Sequence, residues 1–264
     1  MSLKEILLRH IRVKTLVVSF HTVTNTYLIS GGTPVQLLIA LVLAVLLQTS
    51  ANLYNSLQNF ENSKSLMMLF VLTLGSSFLI GSYLAVQKPI LWIFGVPAIV
   101  FVLGYSKKFS FMDFRISEHP LADLIILLSF GPIATFGCYA YFSGTDIPSL
   151  VMLAPLNAVF AHNLLWIHRI KDIEKDLSLG KKTFSVRLGE HKSIFVFAVE
   201  NLIMLCLFAS HFGLVTSSFA IASTLATLIF LTQRKFNTVF HFWITSLTVH
   251  PLWLCLAWNI LNLK

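Results

Sequence analysis

The sequence has little charge, and this shortage limits what kind of protein it can be. Only 11% of its 264 residues are charged, whereas a typical soluble protein has about 25%. Hydrophobic residues make up 56% of the chain, with 23 phenylalanines among them. This composition leaves no room for a soluble domain of useful size beside the apolar part. We also expect no nucleic-acid partner, because the basic residues are accounted for by membrane topology, as argued below.

Cysteine is also scarce. Cys138, Cys206 and Cys255 lie far apart inside apolar segments. Their spacing fits no metal-ligand pattern, and their odd number argues against a disulfide framework. No cleavable signal peptide is visible; instead, the first 14 residues mix basic and aliphatic side chains, which is typical of a helix that lies at a membrane interface.

Long apolar runs dominate the remaining sequence. A hydrocarbon core of about 30 Å requires about 20 mostly apolar residues in one helix. We therefore predict an all-α, polytopic membrane protein that forms a single domain over residues 1–264. Its nine predicted transmembrane helices cover residues 15–31, 35–57, 65–86, 89–106, 120–143, 148–168, 192–213, 216–233 and 238–262.

The basic residues fall on alternate loops of this nine-helix arrangement. If the N-terminus is cytoplasmic, 17 of the 19 lysines and arginines lie in cytoplasmic segments. Cytoplasmic loops of membrane proteins carry such an excess. The pattern therefore predicts a cytoplasmic N-terminus. The net charge of +8 is explained mainly by this orientation and by attraction to anionic lipid.

A stripe of amide side chains marks the end of the second predicted span. It consists of Gln48, Asn52, Asn55, Asn59 and Asn62, whose spacing places them on one helix face. Against lipid, each unpaired polar group would cost a few kcal/mol. The stripe is therefore explained either by hydrogen bonds between helices or by the wall of a polar cavity. The number and alignment of the amides favour a central cavity, which we expect to open on the cytoplasmic side.

A second polar segment follows the sixth predicted span. Asp172 and Asp176 are four residues apart, so on a helix they are neighbours with Cβ atoms about 5–6 Å apart. Two carboxylates so placed suit Mg²⁺, which typically combines one or two carboxylates with water and phosphate oxygens. With the surrounding basic residues, the pair fits diphosphate binding. The alternative is a solvated, salt-bridged helix at the membrane surface. The surrounding basic residues are Arg169, Lys171, Lys175, Lys181, Lys182 and Arg187.

The motifs in this segment resemble those of a known family. The run Asp172-Ile-Glu-Lys-Asp176, followed by residues 180–183 and 186–189, resembles the second aspartate motif of the UbiA-type prenyltransferase superfamily. Within it, the 1,4-dihydroxy-2-naphthoate polyprenyltransferases of menaquinone synthesis are the most similar. Residues 12–16 resemble their opening Arg-Pro-Lys-Thr-Leu, and residues 104–106 and 130–132 match as well.

The resemblance implies a nine-helix enzyme of the bacterial inner membrane. It implies Mg²⁺-dependent transfer of a polyprenyl group from a polyprenyl diphosphate to a small aromatic acceptor, such as 1,4-dihydroxy-2-naphthoate. In this sequence the implied catalytic and metal-binding residues are Asp172 and Asp176. The implied substrate-binding residues are Asn52, Asn55 and Asn59 in the cavity wall, Tyr105 and Lys107 beside the diphosphate or acceptor, and Lys171, Lys181, Lys182 and Arg187 on the phosphates.

The sequence departs from the family pattern at the first aspartate motif. There the family has approximately Ala-Asn-x-x-Asn-Asp-x-x-Asp, and this chain has Ser56 and Asn59 in place of the two aspartates. Their oxygens can ligate Mg²⁺ or meet phosphate through water, but they bring no charge. The second motif also differs, with His168 and Lys171 where Asn-x-x-Arg is usual. The altered first motif leaves open a non-catalytic family member that binds an isoprenoid or a partner protein. The nine predicted spans, though none of the motifs, leave open an unrelated small-solute transporter.

Overall fold

The described part of the chain is helical and contains no β-strand, which confirms the all-α prediction. The computed structural model describes residues 10–59, 63–107, 115–144, 147–236, 238–239, 241–246 and 250. Its helices are α1 (Val17–Ser30), α2 (Pro34–Asn59), α3 (Lys64–Gln87), α4 (Trp92–Ser106), α5 (Leu121–Leu128), α6 (Ala134–Phe142), α7 (Ile147–Lys171), α8 (Ile173–Ser178), α9 (Phe184–Leu188) and α10 (Glu190–Thr232).

Five segments of the described chain are long and apolar enough to cross a membrane. They are Pro34–Gln58, Lys64–Gln87, Pro89–Ser106, Leu121–Phe142 and Ile147–Lys171. Their number and composition fit an integral membrane protein that crosses the bilayer several times. The count of nine is not confirmed, since the predicted spans 192–213 and 216–233 form one continuous helix, α10, and most of the last predicted span, 238–262, lies outside the described residues.

The helix α10 corrects one predicted boundary. The sequence predicts a loop between spans 192–213 and 216–233, whereas the structure has one continuous helix of 43 residues over Glu190–Thr232. The small and polar residues around 214 lower the hydropathy of the sequence but do not interrupt backbone hydrogen bonding. The stretch contains no proline, and its single Gly213 costs a helix only about 1 kcal/mol.

The segment that joins α5 to α6 is a π-helical turn over Ser129–Ile133. Pro132 lies inside this turn, and its missing N–H interrupts the regular helical ladder. Gly131 allows the turn to pack closely on α7. A Cβ atom at Gly131 would lie 2.8 Å from Cβ of Ala158 and 3.1 Å from the carbonyl oxygen of Ala154.

The helix α7 lies at the centre of the bundle and contacts α1, α5, α6 and α10. Its apolar residues form the main core, in which Trp166 and Leu153 pack with Phe197 of α10. The helices α3 and α4 differ, because they expose large apolar side chains such as Leu79 of α3 and Ile93 of α4. Such faces suit contact with lipid tails. Because α7 is surrounded by other helices instead, its polar side chains must find partners inside the bundle.

A short return segment closes one end of the bundle after α7. The helix α8 is followed by Gly180, whose φ of +69° is a conformation that favours glycine. The helix α9 begins after Thr183, whose hydroxyl accepts a hydrogen bond from the backbone N–H of Val186 at 3.4 Å. This loop turns Lys181 back towards α8.

Candidate active site in a central cavity

A cavity of about 1260 Å³ runs through the described bundle. Pockets for small ligands usually measure about 300–1,000 Å³, so this one can hold a larger molecule. One end is polar and is lined from α7, α8, α2 and the segment before α1. The rest is apolar and is lined by residues such as Leu47, Phe94, Ile99 and Phe130. The cavity therefore suits an amphiphile with a polar head and a long apolar tail.

The carboxylate wall of the polar end contains Asp172 and Asp176, both of which line the cavity. The backbone N–H of Asp176 donates to the carbonyl of Asp172 at 2.8 Å, so the two residues keep the one-turn spacing that the sequence predicts. Asp176 is largely buried, and Nζ of Lys181 donates to its Oδ1 at 2.7 Å. The structure therefore brings two carboxylates and one predicted phosphate-binding lysine together.

The amide wall comes from α2, where Gln48, Asn52 and Asn55 line the cavity. Nδ2 of Asn52 donates to the carbonyl of Ile11 at 2.8 Å, and Nε2 of Gln48 donates to the carbonyl of Thr15 at 2.8 Å. The amides therefore line the cavity and also fasten the segment before α1 to α2. Both explanations of the stripe apply.

The segment before α1 brings positive charge into the polar end. Arg12, with a φ of +56°, precedes a 3₁₀ turn at Val13–Thr15, and both Arg12 and Lys14 line the cavity. Desolvation by the surrounding protein lowers the pKa of Arg12, which a coulombic interaction with Tyr105 opposes. His168 of α7 lies within interaction range of both Arg12 and Asp172. Charges from the N-terminal segment and from the carboxylate wall therefore act on the same space.

The remaining predicted residues are placed differently. Tyr105 lines the cavity, whereas Lys107 and Lys171 are exposed residues outside its lining. Lys182 and Arg187 lie near His119: burial lowers the pKa of that histidine, and the positive charges of Arg187 and Lys182 lower it further. They are not among the residues that line the cavity.

Of the two positions where the first motif is altered, the structure describes the side chain of Ser56 but not that of Asn59. Ser56 is fully buried in the bundle and does not line the cavity. Asn59 is the last residue of α2, and the placement of its side chain is outside the described structure.

The donor set fits a magnesium ion that a substrate helps to hold. Within the described residues, no group of three or more histidine, cysteine, aspartate or glutamate side chains is placed to hold a metal. Mg²⁺ needs fewer protein ligands, since it retains waters and binds substrate phosphates. Asp172 and Asp176 suit such an ion. Asn52 and Asn55 of the amide wall line the same cavity, and their side-chain oxygens carry no charge.

Sequence analysis missed a buried chain of ionisable residues beside this site. Nη1 of Arg169, a residue of the cavity wall, donates to both carboxylate oxygens of Asp123 at 2.5 Å. His162 lies 3.1 Å from Asp123 through Nε2 and 3.1 Å from Glu200 through Nδ1. Asp123, His162 and Glu200 each lie within a predicted span. Ionisable residues inside membrane helices are usually functional or paired, and that rule was the available signal.

Two solved structures share the fold of this chain. One is the apo structure of a UbiA homolog from Aeropyrum pernix K1, with a TM-score of 0.60 and 14% identity over 96% of this chain and 99% of that chain. The other concerns digeranylgeranylglyceryl phosphate synthase in membranes, with a TM-score of 0.58 and 13% identity over 96% of both chains. At these identities the similarity shows the fold alone.

Similar sequences are found among curated proteins. The 1,4-dihydroxy-2-naphthoate octaprenyltransferase of Haemophilus influenzae is 32% identical over 102 residues, and that of Escherichia coli is 30% identical over 94 residues. These matches cover 37% and 34% of this chain, and 30% of the length of each relative. The model of the UbiA prenyltransferase family matches residues 61–243, which is more than half of the chain. The chain therefore belongs to the UbiA prenyltransferase family.

Proposed function

We propose that this protein transfers a polyprenyl group from a polyprenyl diphosphate to an aromatic acceptor such as 1,4-dihydroxy-2-naphthoate. One observation carries the proposal: a single cavity joins a carboxylate pair with nearby cations at one end to a long apolar wall. Family membership supports prenyl transfer in general. The particular acceptor is supported by the two relatives, both of which are 1,4-dihydroxy-2-naphthoate octaprenyltransferases.

The polar end suits the diphosphate of the donor. Asp172 and Asp176 would hold Mg²⁺, which when bound neutralises negative charge on the diphosphate as the leaving group departs. Lys181 and Arg12, which line the same end, add charge-assisted hydrogen bonds to its oxygens. Lys182 and Arg187 lie near His119 and outside the cavity lining, so their phosphate contacts stay a prediction from the resemblance and have no part in this proposal.

The apolar part of the cavity suits the isoprenoid tail and the reaction itself. The allylic C–O bond of the donor breaks and diphosphate leaves, a carbon of the aromatic ring bonds to the allylic carbon, and the ring loses a proton. Apolar side chains such as Phe94 and Phe130 keep water away from the allylic cation. Tyr105, which lines the cavity within interaction range of Arg12, would orient the acceptor. We place the N-terminus and this end of the cavity on the cytoplasmic side of a bacterial inner membrane.

A second candidate function is binding of an isoprenoid or a partner protein without catalysis. The observation that favours it is the amide wall, where Asn52 and Asn55 line the cavity and Ser56 is buried away from it. Because these α2 positions supply no carboxylate, the site offers less negative charge to a metal than the two aspartate motifs of the family pattern would. This candidate predicts tight binding of a prenyl diphosphate and no release of diphosphate.

The deciding experiment uses the full-length protein in lipid nanodiscs. Farnesyl diphosphate and 1,4-dihydroxy-2-naphthoate are supplied with Mg²⁺, and both diphosphate release and the prenylated product are measured. We expect turnover, and we expect Asp172→Asn to reduce it by about 100-fold or more, since electrostatic stabilisation of a leaving group typically contributes that much. Binding without turnover, tested with several aromatic acceptors, would favour the second candidate.

The matched control for that substitution is Glu174→Gln. Glu174 belongs to the same short helix, α8, but is exposed and lies outside the cavity lining. We expect it to retain wild-type turnover. Equal activity of Asp172→Asn and Glu174→Gln would refute the assignment of Asp172 to the metal.

A further inference from the structure

Four ionisable side chains form a hydrogen-bonded chain through the bundle, from the cavity wall to a cleft on its side. In order they are Arg169, Asp123, His162 and Glu200, joined by contacts of 2.5 Å and 3.1 Å. Their side chains are 6%, 11%, 5% and 21% exposed. The chain links α5, α7 and α10 and lies beside, rather than within, the carboxylate pair assigned to the metal.

The charges in this chain alternate, which makes its burial possible. A buried ion is stable when it is paired and hydrogen-bonded. Both ring nitrogens of His162 face carboxylate oxygens. Because a bare imidazole nitrogen and a carboxylate both accept hydrogen bonds, each of these contacts must contain a proton. With Arg169 paired to Asp123, the four groups are then neutral as a set, wherever those two protons reside.

This hydrogen-bonded chain of four side chains has no net charge, but its two ends differ in charge and in surroundings. Its arginine end lines the central cavity, whereas Glu200 at the other end lines a separate apolar cleft of about 510 Å³ with Met204 and Ala158. The positive end therefore faces the space that the polar ligand occupies. Lys171, two residues further along α7, keeps the charge of the family motif but is exposed and outside the cavity lining. Arg169 is the cation that α7 presents to the cavity.

We propose that Asp123, His162 and Glu200 are positioning residues that hold Arg169 in the cavity wall as a fixed positive charge for the diphosphate. This inference rests on the proposed function, because it takes the polar ligand to be a diphosphate. A fixed cation costs no reorganisation when the ligand binds. Without the Glu200 carboxylate, Asp123 is the one carboxylate of this chain left to pair with His162. His162 then competes with Arg169 for Asp123, so the arginine loses its fixed position.

The bundle contains a matched control for this chain. Asn163 and Asn201 are the next residues on α7 and α10, and they bond to each other in both directions at 2.7 Å and 3.0 Å. The pair bridges the same two helices as His162 and Glu200. It is uncharged and has no hydrogen bond to Arg169. If a variant lost ligand affinity only because the contact between α7 and α10 loosened, Asn201→Ala would lose affinity to the same extent.

The test measures ligand affinity rather than turnover. Full-length protein in nanodiscs is titrated with geranyl S-thiolodiphosphate, which resists ionisation, in the presence of Mg²⁺, and Tm is measured in parallel. We expect Glu200→Gln and His162→Gln to raise Kd by about tenfold or more, because a displaced Arg169 loses a charge-assisted hydrogen bond to the diphosphate. Glu200→Asp, which keeps the charge, should recover part of the affinity. Asn201→Ala should lower Tm and change Kd by less than about twofold.

The outcomes separate this inference from the proposed function. Unchanged Kd in both Glu200→Gln and His162→Gln would overturn the positioning role, as would an equal loss of affinity in Asn201→Ala. Either result leaves prenyl transfer intact if the wild-type protein binds the analogue. A wild-type protein that does not bind the thiolodiphosphate would overturn the proposed function itself, and the inference with it.

Discussion

Nζ of Lys181 lies 2.7 Å from Oδ1 of Asp176, so a carboxylate assigned to the metal is already paired with a lysine. The pair forms because the loop at Gly180 reverses the chain after α8, with the N–H of Lys181 bonded to the carbonyl of Asp176 at 3.0 Å. The lysine limits repulsion between the two carboxylates of the wall. It also remains near enough to bind a phosphate oxygen when a cation takes its place on the aspartate.

Replacement of Lys181 by methionine should weaken donor binding. The substitution keeps a long apolar stem and removes one charge-assisted hydrogen bond, which is worth about 1.5–3 kcal/mol. We expect KM for the prenyl diphosphate to rise by about tenfold or more, with a smaller effect on KM for the aromatic acceptor. Steady-state kinetics with each substrate varied in turn measure both.

Lys182→Met is the matched control, since Lys182 is the adjacent residue and lies beside His119 instead. We expect a change of less than about threefold in donor KM. A larger effect of Lys182→Met than of Lys181→Met would reverse the assignment and support a phosphate-binding role for Lys182.

Metal binding should depend on the diphosphate. The protein supplies two carboxylates, Asp172 and Asp176, and its described residues offer no larger ligand group. An ion with so few protein ligands needs phosphate oxygens to complete its shell. We expect Mn²⁺ affinity, followed by electron paramagnetic resonance, to rise at least tenfold when inorganic pyrophosphate is added, and EDTA to abolish turnover until Mg²⁺ is restored. Equal Mn²⁺ affinity with and without pyrophosphate would contradict this arrangement.

Substitution of Asn52 by alanine should release the N-terminal segment. Its amide donates to Ile11 and Thr15 at 2.8 Å and 3.3 Å, and each such bond contributes about 1 kcal/mol. We expect faster hydrogen exchange over residues 10–16 and weaker donor binding, because Arg12 is held by that segment. Ser50→Ala is the comparison: Ser50 bonds to Thr73 on α3 and should leave exchange in residues 10–16 unchanged. Unchanged exchange in Asn52→Ala would show that Gln48 suffices to hold the segment.

Gly131→Ala should destabilise the bundle. The added methyl would lie 2.8 Å from Cβ of Ala158, and overpacking of this kind typically costs about 1–3 kcal/mol. We expect a lower Tm in detergent and recovery in the double variant Gly131→Ala/Ala158→Gly. Gly75→Ala, at a helical position with nothing within 4 Å, should instead leave Tm equal or higher. No recovery in the double variant would mean that the clash lies with the backbone of Ala154.

Several features of the site followed from sequence spacing. The four-residue interval predicted that Asp172 and Asp176 share one wall, and the 3- and 4-residue steps predicted that Gln48, Asn52 and Asn55 share one face. Both are local properties of a helix, which fixes the direction of each side chain relative to its neighbours. Lys182 illustrates the limit. It has the same charge as Lys181 but lies elsewhere, because the loop after Gly180 separates adjacent residues in a way that no helical period predicts.

The sequence alone determined that this protein is helical, that it belongs in a membrane, and which stretches are polar enough to form a site. These properties depend on composition and on short-range spacing, which are the same in any packing of the helices. Only the tertiary structure decided that Arg12 enters the cavity, that Ser56 is buried away from it, and that Asp123, His162 and Glu200 reach Arg169 from three helices. The hydrogen bonds of that buried chain join residues 38 to 46 positions apart. They depend on which faces of the helices meet, and a single sequence without its fold does not specify that.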